Sequence, residues 1–185
     1  MKVSSIFAVQ QERLYSIHFE GMDNDELSDI FNKWNDIEYL HDFFTQHKSD
    51  LLNRFYEDQY STLTVEEAIE ITLDEVSALE RKLISLTESG ESLQTLFKPL
   101  DNNDYRQNPL QKNKLTGPYR KSWLRIYAIR IGPNLFVISG GAIKLTPTMN
   151  DVAHLRLELV KLEAVKNFLQ ENGVLDEDDF ELLEI

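Results

Sequence analysis

The period of the apolar pattern switches repeatedly along this chain, and those switches restrict its fold more than any other feature. Val3 to Val9 is apolar and β-branched, Gln10 to Arg13 is a polar break, and Leu14 to Phe19 alternates with Tyr15, Ile17 and Phe19 on one side. That pattern predicts a β-hairpin closed off by Gly21. From Asp23 the spacing becomes helical through Leu27, Ile30, Phe31, Trp34, Ile37 and Leu40, predicting one helix to about Gln46 and a short second one from Ser49 through Tyr56. Thr64-Val65-Glu66-Glu67 is a capping box, in which hydroxyl and carboxylate each satisfy a free N–H of the first turn. The long helix it starts carries Ala68, Thr72, Val76, Leu79, Leu83 and Leu86 on one stripe and stops at Gly90.

Residues 91 to 118 hold Pro99, Pro109, Gly117 and Pro118, with Asp101-Asn102-Asn103-Asp104 between them, and read as loop. Period two returns from Tyr119 to Ile131, turns at Gly132-Pro133-Asn134, and runs back from Leu135 to Leu145 as a second hairpin. A last helix starts at Asn150 or Asp151, follows Leu155, Leu159, Leu162, Val165 and Leu169, and ends at Asn172-Gly173. Beyond it, an acidic final turn or short helix docks through Phe180, Leu182, Leu183 and Ile185. Strand periods at both ends and helical ones between predict an α+β fold. Its antiparallel sheet is built from the N-terminal and C-terminal hairpins and packed with several α-helices, all within one domain over 1–185.

Charge is divided unevenly over the 185 residues. The net value is −13, yet residues 1–104 carry 22 acids and 8 bases, residues 105–170 carry 3 acids and 11 bases, and the extension 171–185 carries 7 acids and no base. Such polarity argues against nucleic-acid binding by the whole surface and permits a local polyanion site. The cysteine count is zero, which removes disulfides, thiolate metal sites and thiol nucleophiles. The N-terminal apolar run is too short for a secretory segment, and no run approaches the roughly 18 apolar residues of a membrane span. A cytoplasmic protein without membrane contact is expected. His18, His41, His47 and His154 lack the pairing of a metal site, so neither a metal nor another cofactor is expected. Phosphate-loop, dinucleotide and serine-nucleophile motifs are missing, and Gly140-Gly141 reads as a strand kink or bulge.

The basic stretch runs from Tyr105 to Arg130. With Tyr119–Ile131 as one strand, alternation sends Ser122, Leu124, Ile126 and Ala128 to the core. Tyr119, Lys121, Trp123, Arg125, Tyr127 and Ile129 then form an aromatic and cationic face. Rings that stack on bases and cations that neutralise phosphates suit single-stranded nucleic acid; covered by a helix, the same residues serve as core with snorkelling cations. Lys112 and Lys114 in the preceding loop and Lys144 at the end of the returning strand extend the patch, and His154 is the histidine nearest to it in sequence.

Four segments in order resemble the RelE/ParE toxin superfamily, in its HigB-like, phage-derived branch, over about 96–169. They are Phe97-Lys98-Pro99-Leu100, Leu115 to Arg120, Trp123-Leu124-Arg125-Ile126-Tyr127, and Val137 to Thr146. The resemblance implies a RelE-like core with added helices. It implies a toxin of a type II toxin–antitoxin pair, a metal-independent endoribonuclease acting on messenger RNA at the ribosome and neutralised by a helix-turn-helix antitoxin. Carried over by position, the site residues are Arg125, Tyr127, Lys144 and Arg120, although alternation alone puts Arg120 on the core side. Leu145 stands where the family has a second lysine, and Ala142 where an aromatic is usual. Two other expectations stay open: a non-enzymatic RelE-fold protein whose basic groove binds an acidic partner segment, and a ParE-like gyrase inhibitor.

Overall fold

The computed structural model describes residues 1–52, 62–101 and 108–183. The expected first hairpin forms from β1 (Val3–Gln10) and β2 (Leu14–Phe19), with Ile6 opposite Ile17 and Phe7 opposite Ser16. The helix expected over 23–46 is two helices, α1 (Glu26–Asn35) and α2 (Ile37–Gln46). Asp36 divides them, because its extended backbone ends α1 while its carboxylate accepts Glu38 N–H at 2.9 Å and Tyr39 N–H at 3.2 Å, capping α2. A short acidic side chain competes for backbone donors in this way. Helix α3 (Lys48–Leu51) follows, and its expected continuation through 53–56 lies outside the described residues.

The capping box forms as read: Thr64 Oγ1 accepts Glu67 N–H at 3.1 Å and Glu67 Oε2 accepts Thr64 N–H at 2.8 Å. It starts α4 (Val65–Ser89), which stops at Gly90 with φ 73°.

The segment read as loop holds β3 (Lys98–Pro99) and β4 (Gln111–Thr116). Only Asn113 and Leu115 of β4 are buried, so its sequence carries little period-two signal. Pairing with β5 (Leu124–Arg130) makes it a strand, from Gln111 opposite Arg130 to Thr116 opposite Arg125. Strand β5 therefore starts at Leu124 rather than Tyr119, and residues 117–123 are a hairpin connection. Gly117 N–H donates to Leu124 C=O at 3.1 Å, and Lys121 takes φ 60°.

Strand β6 (Phe136–Ile143) returns beside β5 with a register shift opposite Tyr127 and Ala128, the bulge expected near Gly140. Helix α5 (Ala153–Glu171) starts after Val152, whose side chain makes no cap hydrogen bond; Asp151 instead accepts Thr148 N–H. Helix α6 (Glu177–Glu181) docks Phe180 on Tyr15, their ring centroids 4.8 Å apart. The expected docking of Ile185 lies outside the described residues.

The α+β fold is thus an open six-stranded sheet in the order β1-β2-β6-β5-β4-β3. It joins the two hairpins through one parallel pair, β2 with β6, so the sheet is mixed rather than antiparallel throughout. Helices α1, α2 and α4 cover one face, over Leu124, Ile126, Ala128 and Ile138. Helices α5 and α6 cover the other, over Tyr15, Ile17, Tyr127, Ile129 and Val137. Among the described residues no helix is long and apolar enough to cross a membrane.

The parallel pair spans only Leu14–Ser16 against Phe136–Ile138. Near Gly140, Lys161 of α5 reaches Glu26 Oε2 at the start of α1 (2.7 Å) and Glu158 Oε1 on its own helix (3.2 Å). All three side chains are buried. A Cβ on Gly140 would lie 2.0 Å from Glu158 Oε2, so a side chain there would have to displace the carboxyl. Burial pushes Glu158 up to about 7, further helped by Glu26 and opposed by Lys161 and Lys33.

A carboxyl raised from 4.5 on folding contributes stability in full below pH 4.5 and loses it as pH rises through 7. The amount is about 3 kcal/mol at most. We expect the urea midpoint of the wild type to fall between pH 5 and pH 8. Glu158→Gln should show a smaller fall and exceed the wild type at pH 8; parallel curves would refute the assignment.

Candidate anion-binding site

Antiparallel partners share a sheet face, so the register aligns Lys114 with Tyr127 and Thr116 with Arg125. Where this face emerges from beneath α5, Lys112, Lys114, Arg125, Tyr127 and Lys144 line a cavity of about 1110 Å³. Pro99–Asp101, Asn108–Leu110, Pro147, Met149 and Asn150 contribute to its walls, and Leu159 and Lys166 come from α5. Lys144 arrives from beyond the end of β6, held by its N–H to the Trp123 carbonyl at 2.8 Å.

The cations rest on backbone oxygens. Arg125 Nη1 donates to Ser122 O (2.6 Å) and Leu124 O (2.7 Å), Lys144 Nζ to Thr146 O (2.6 Å) and Pro147 O (2.7 Å), and Lys114 Nζ to Leu100 O (3.0 Å). Burial first, and then the positive charges of Arg125 and Lys114, together bring Lys144 down to about 8 against the pull of Asp151. Burial and Arg125 lower Lys114 too, with Asp101 opposing. Asp101 is the one acidic side chain among the described lining residues. Three mutually repelling cations in a partly desolvated cavity create a positive potential that an anionic group relieves.

At the rim the balance differs. Lys112 pairs with Glu163 of α5, whose carboxyl is lowered by that bond and by the charges of Lys112 and Lys166. Glu163 thus sets a negative charge against Lys112 and Lys166 at the rim, whereas inside the cavity the charges of Arg125 and Lys114 act on Lys144.

Of the residues singled out in the sequence, Lys112, Lys114, Arg125, Tyr127 and Lys144 come together here. Tyr127 is buried in the floor. The other five lie elsewhere. Trp123 does not share the face of Arg125: it is 1% exposed under α4, with Nε1 donating to Thr72 Oγ1 at 3.0 Å. The turn before β5 breaks the alternation that had placed it outward. Tyr119 and Arg120 are exposed on that turn, and Lys121 is half-buried there. His154 is half-buried at the start of α5, with Nε2 2.9 Å from Ile143 O and its ring against Phe43 and His47; burial lowers it. Tyr105 lies outside the described residues.

Sequence reading missed Lys166, although its seven-residue offset from Leu159 puts the two on one helix face. No group of three or more His, Cys, Asp or Glu side chains that could hold a metal occurs among the described residues.

No family model, curated protein or solved structure matches this chain.

The affinity for pyrophosphate, measured calorimetrically, should fall about tenfold between pH 7 and pH 9 as Lys144 loses its proton. Lys144→Met should bind weakly with no such inflection. Glu163→Gln, which removes the negative charge beside Lys112 and Lys166, should tighten binding at low salt by about threefold; unchanged affinity would refute the role of Glu163 at the rim.

Proposed function

We propose that the cavity takes a phosphodiester of messenger RNA and that the chain is the toxin of a toxin–antitoxin pair, cleaving RNA without a metal. The observation that carries this reading is the convergence of Arg125, Lys114 and Lys144 on one cavity in a chain of net charge −13. A lysine brought down to about 8 is neutral in about a tenth of molecules near pH 7, which suits proton transfer at working pH. In the proposed step Lys144 takes the proton of a ribose 2′-hydroxyl and the 2′-oxygen attacks phosphorus. The bond to the 5′-oxygen breaks, that oxygen takes up a proton from water, and a 2′,3′-cyclic phosphate remains. Arg125 and Lys114 stabilise the charge gathering on the phosphoryl oxygens, and electrostatic stabilisation of this kind is commonly the largest catalytic term. A helix-turn-helix antitoxin belongs to this reading as the partner.

One observation favours a second reading, a non-enzymatic protein that binds an acidic partner segment. Helix α5 covers Tyr127 and Ile129, where the resemblance implies an open catalytic face. Induced expression separates the two. Growth arrest with loss of transcripts, relieved by Arg125→Ala, is the expected outcome. Unaffected growth with stable transcripts would leave the binding reading, and a DNA-damage response without transcript loss would point to gyrase.

A further inference from the structure

Helix α4 lies on the sheet face opposite the cavity, yet two of its side chains reach the turn from which Arg125 enters β5. Thr72 accepts the Trp123 indole N–H. Three residues on, Glu75, only 1% exposed, accepts the Ser122 hydroxyl at 2.5 Å through Oε2. Ser122 Oγ in turn accepts Leu124 N–H at 3.1 Å, and the Ser122 carbonyl accepts Arg125 Nη1 at 2.6 Å. A continuous path of hydrogen bonds and one residue's backbone thus runs from Glu75, through Ser122, to Arg125.

The packing of the turn holds this path in place. A Cβ on Gly117 would lie 2.1 Å from Ser122 Oγ and 3.2 Å from Glu75 Oε2, so the turn closes directly onto the pair. Burial raises the Glu75 carboxyl, while the Ser122 hydrogen bond and the charge of Arg125 oppose that rise. A carboxyl on the packed side of a helix is costly for stability alone. An apolar residue would fit the stripe of Val76, Leu79 and Leu83 better, which points to a role outside packing.

We infer that Glu75 is a positioning residue for Arg125: through Ser122 it fixes the carbonyl on which the guanidinium rests, and so sets where that charge stands in the cavity. The inference rests on the reading of the cavity as an RNA-binding site. It adds a residue that touches no ligand and lies on the opposite layer of the molecule.

The test is a double-mutant cycle with a short, labelled single-stranded RNA as probe, using wild type, Glu75→Gln, Arg125→Ala and the double variant, with thermal unfolding of each. Glu75→Gln should weaken binding about fivefold in the wild type and less than about twofold on the Arg125→Ala background. Equal binding by Glu75→Gln and wild type would overturn the inference, and so would an additive loss, which marks a merely structural role. Should Glu75→Gln fail to fold, Ser122→Ala takes its place in the cycle with the same expectations. If the wild type binds no RNA, the cavity reading falls, and the Arg125 guanidinium resonances decide the positioning. Restricted rotation in the wild type that is averaged in Glu75→Gln supports it, and identical spectra overturn it.

Discussion

Strand β5 has neighbours on both edges and helices over both faces, and the other elements are arranged around that confinement. Leu124, Ile126 and Ala128 pack under α1, α2 and α4, while Tyr127 and Ile129 pack under α5. A strand buried on two sides keeps its charged groups to its ends, here Arg125 and Arg130. Arg125 is the one β5 residue that is not fully buried. It escapes because it sits one residue from the strand's start, where α5 no longer covers the sheet. The cavity exists at that corner, where Arg125 at the start of β5 meets Lys144 from beyond the end of β6 and Lys112 and Lys114 of the half-exposed strand β4.

Two lysines show how the surroundings of a charge decide its chemistry. Lys161 is buried and Lys144 half-buried, and burial lowers each. Beside Lys161 stand Glu158 and Glu26, which together outweigh burial and raise it, so it remains a structural cation tying α5 to α1. Beside Lys144 stand Arg125 and Lys114, which add to the effect of burial and bring it to about 8. The first lysine is compensated within the fold. The second stands among like charges on the cavity wall, and that difference separates a structural ion cluster from a candidate anion site.

The connection 117–123 is where sequence and structure diverge most, and the divergence moves functional residues. Read as the start of a long strand, it places Trp123 beside Arg125 on one face. Gly117, the left-handed Lys121 and the Ser122–Glu75 bond instead fold it into a turn. Trp123 then goes under α4 and Tyr119 goes to the surface. Strand β4 was hidden for a related reason: Gln111-Lys112-Asn113-Lys114 has the composition of a loop, and its strand character comes from pairing with β5 rather than from its own side chains.

The information legible along the chain is local. It specified the first hairpin, the capped helix to Gly90, the last helix and the polarity of charge, because each depends on spacings and caps within a few residues. The identity of five of the ten candidate site residues was legible in the same way, as cations and an aromatic on or beside two paired strands. Only the tertiary structure decided that Lys112, Lys114, Arg125, Tyr127 and Lys144 share one cavity and that Lys166 and Asp101 join them. It also decided that a glutamate on the far layer holds the arginine's turn. Register between strands, the exact residue at which a strand begins and the edge of a covering helix are set by long-range packing, and no local pattern encodes them.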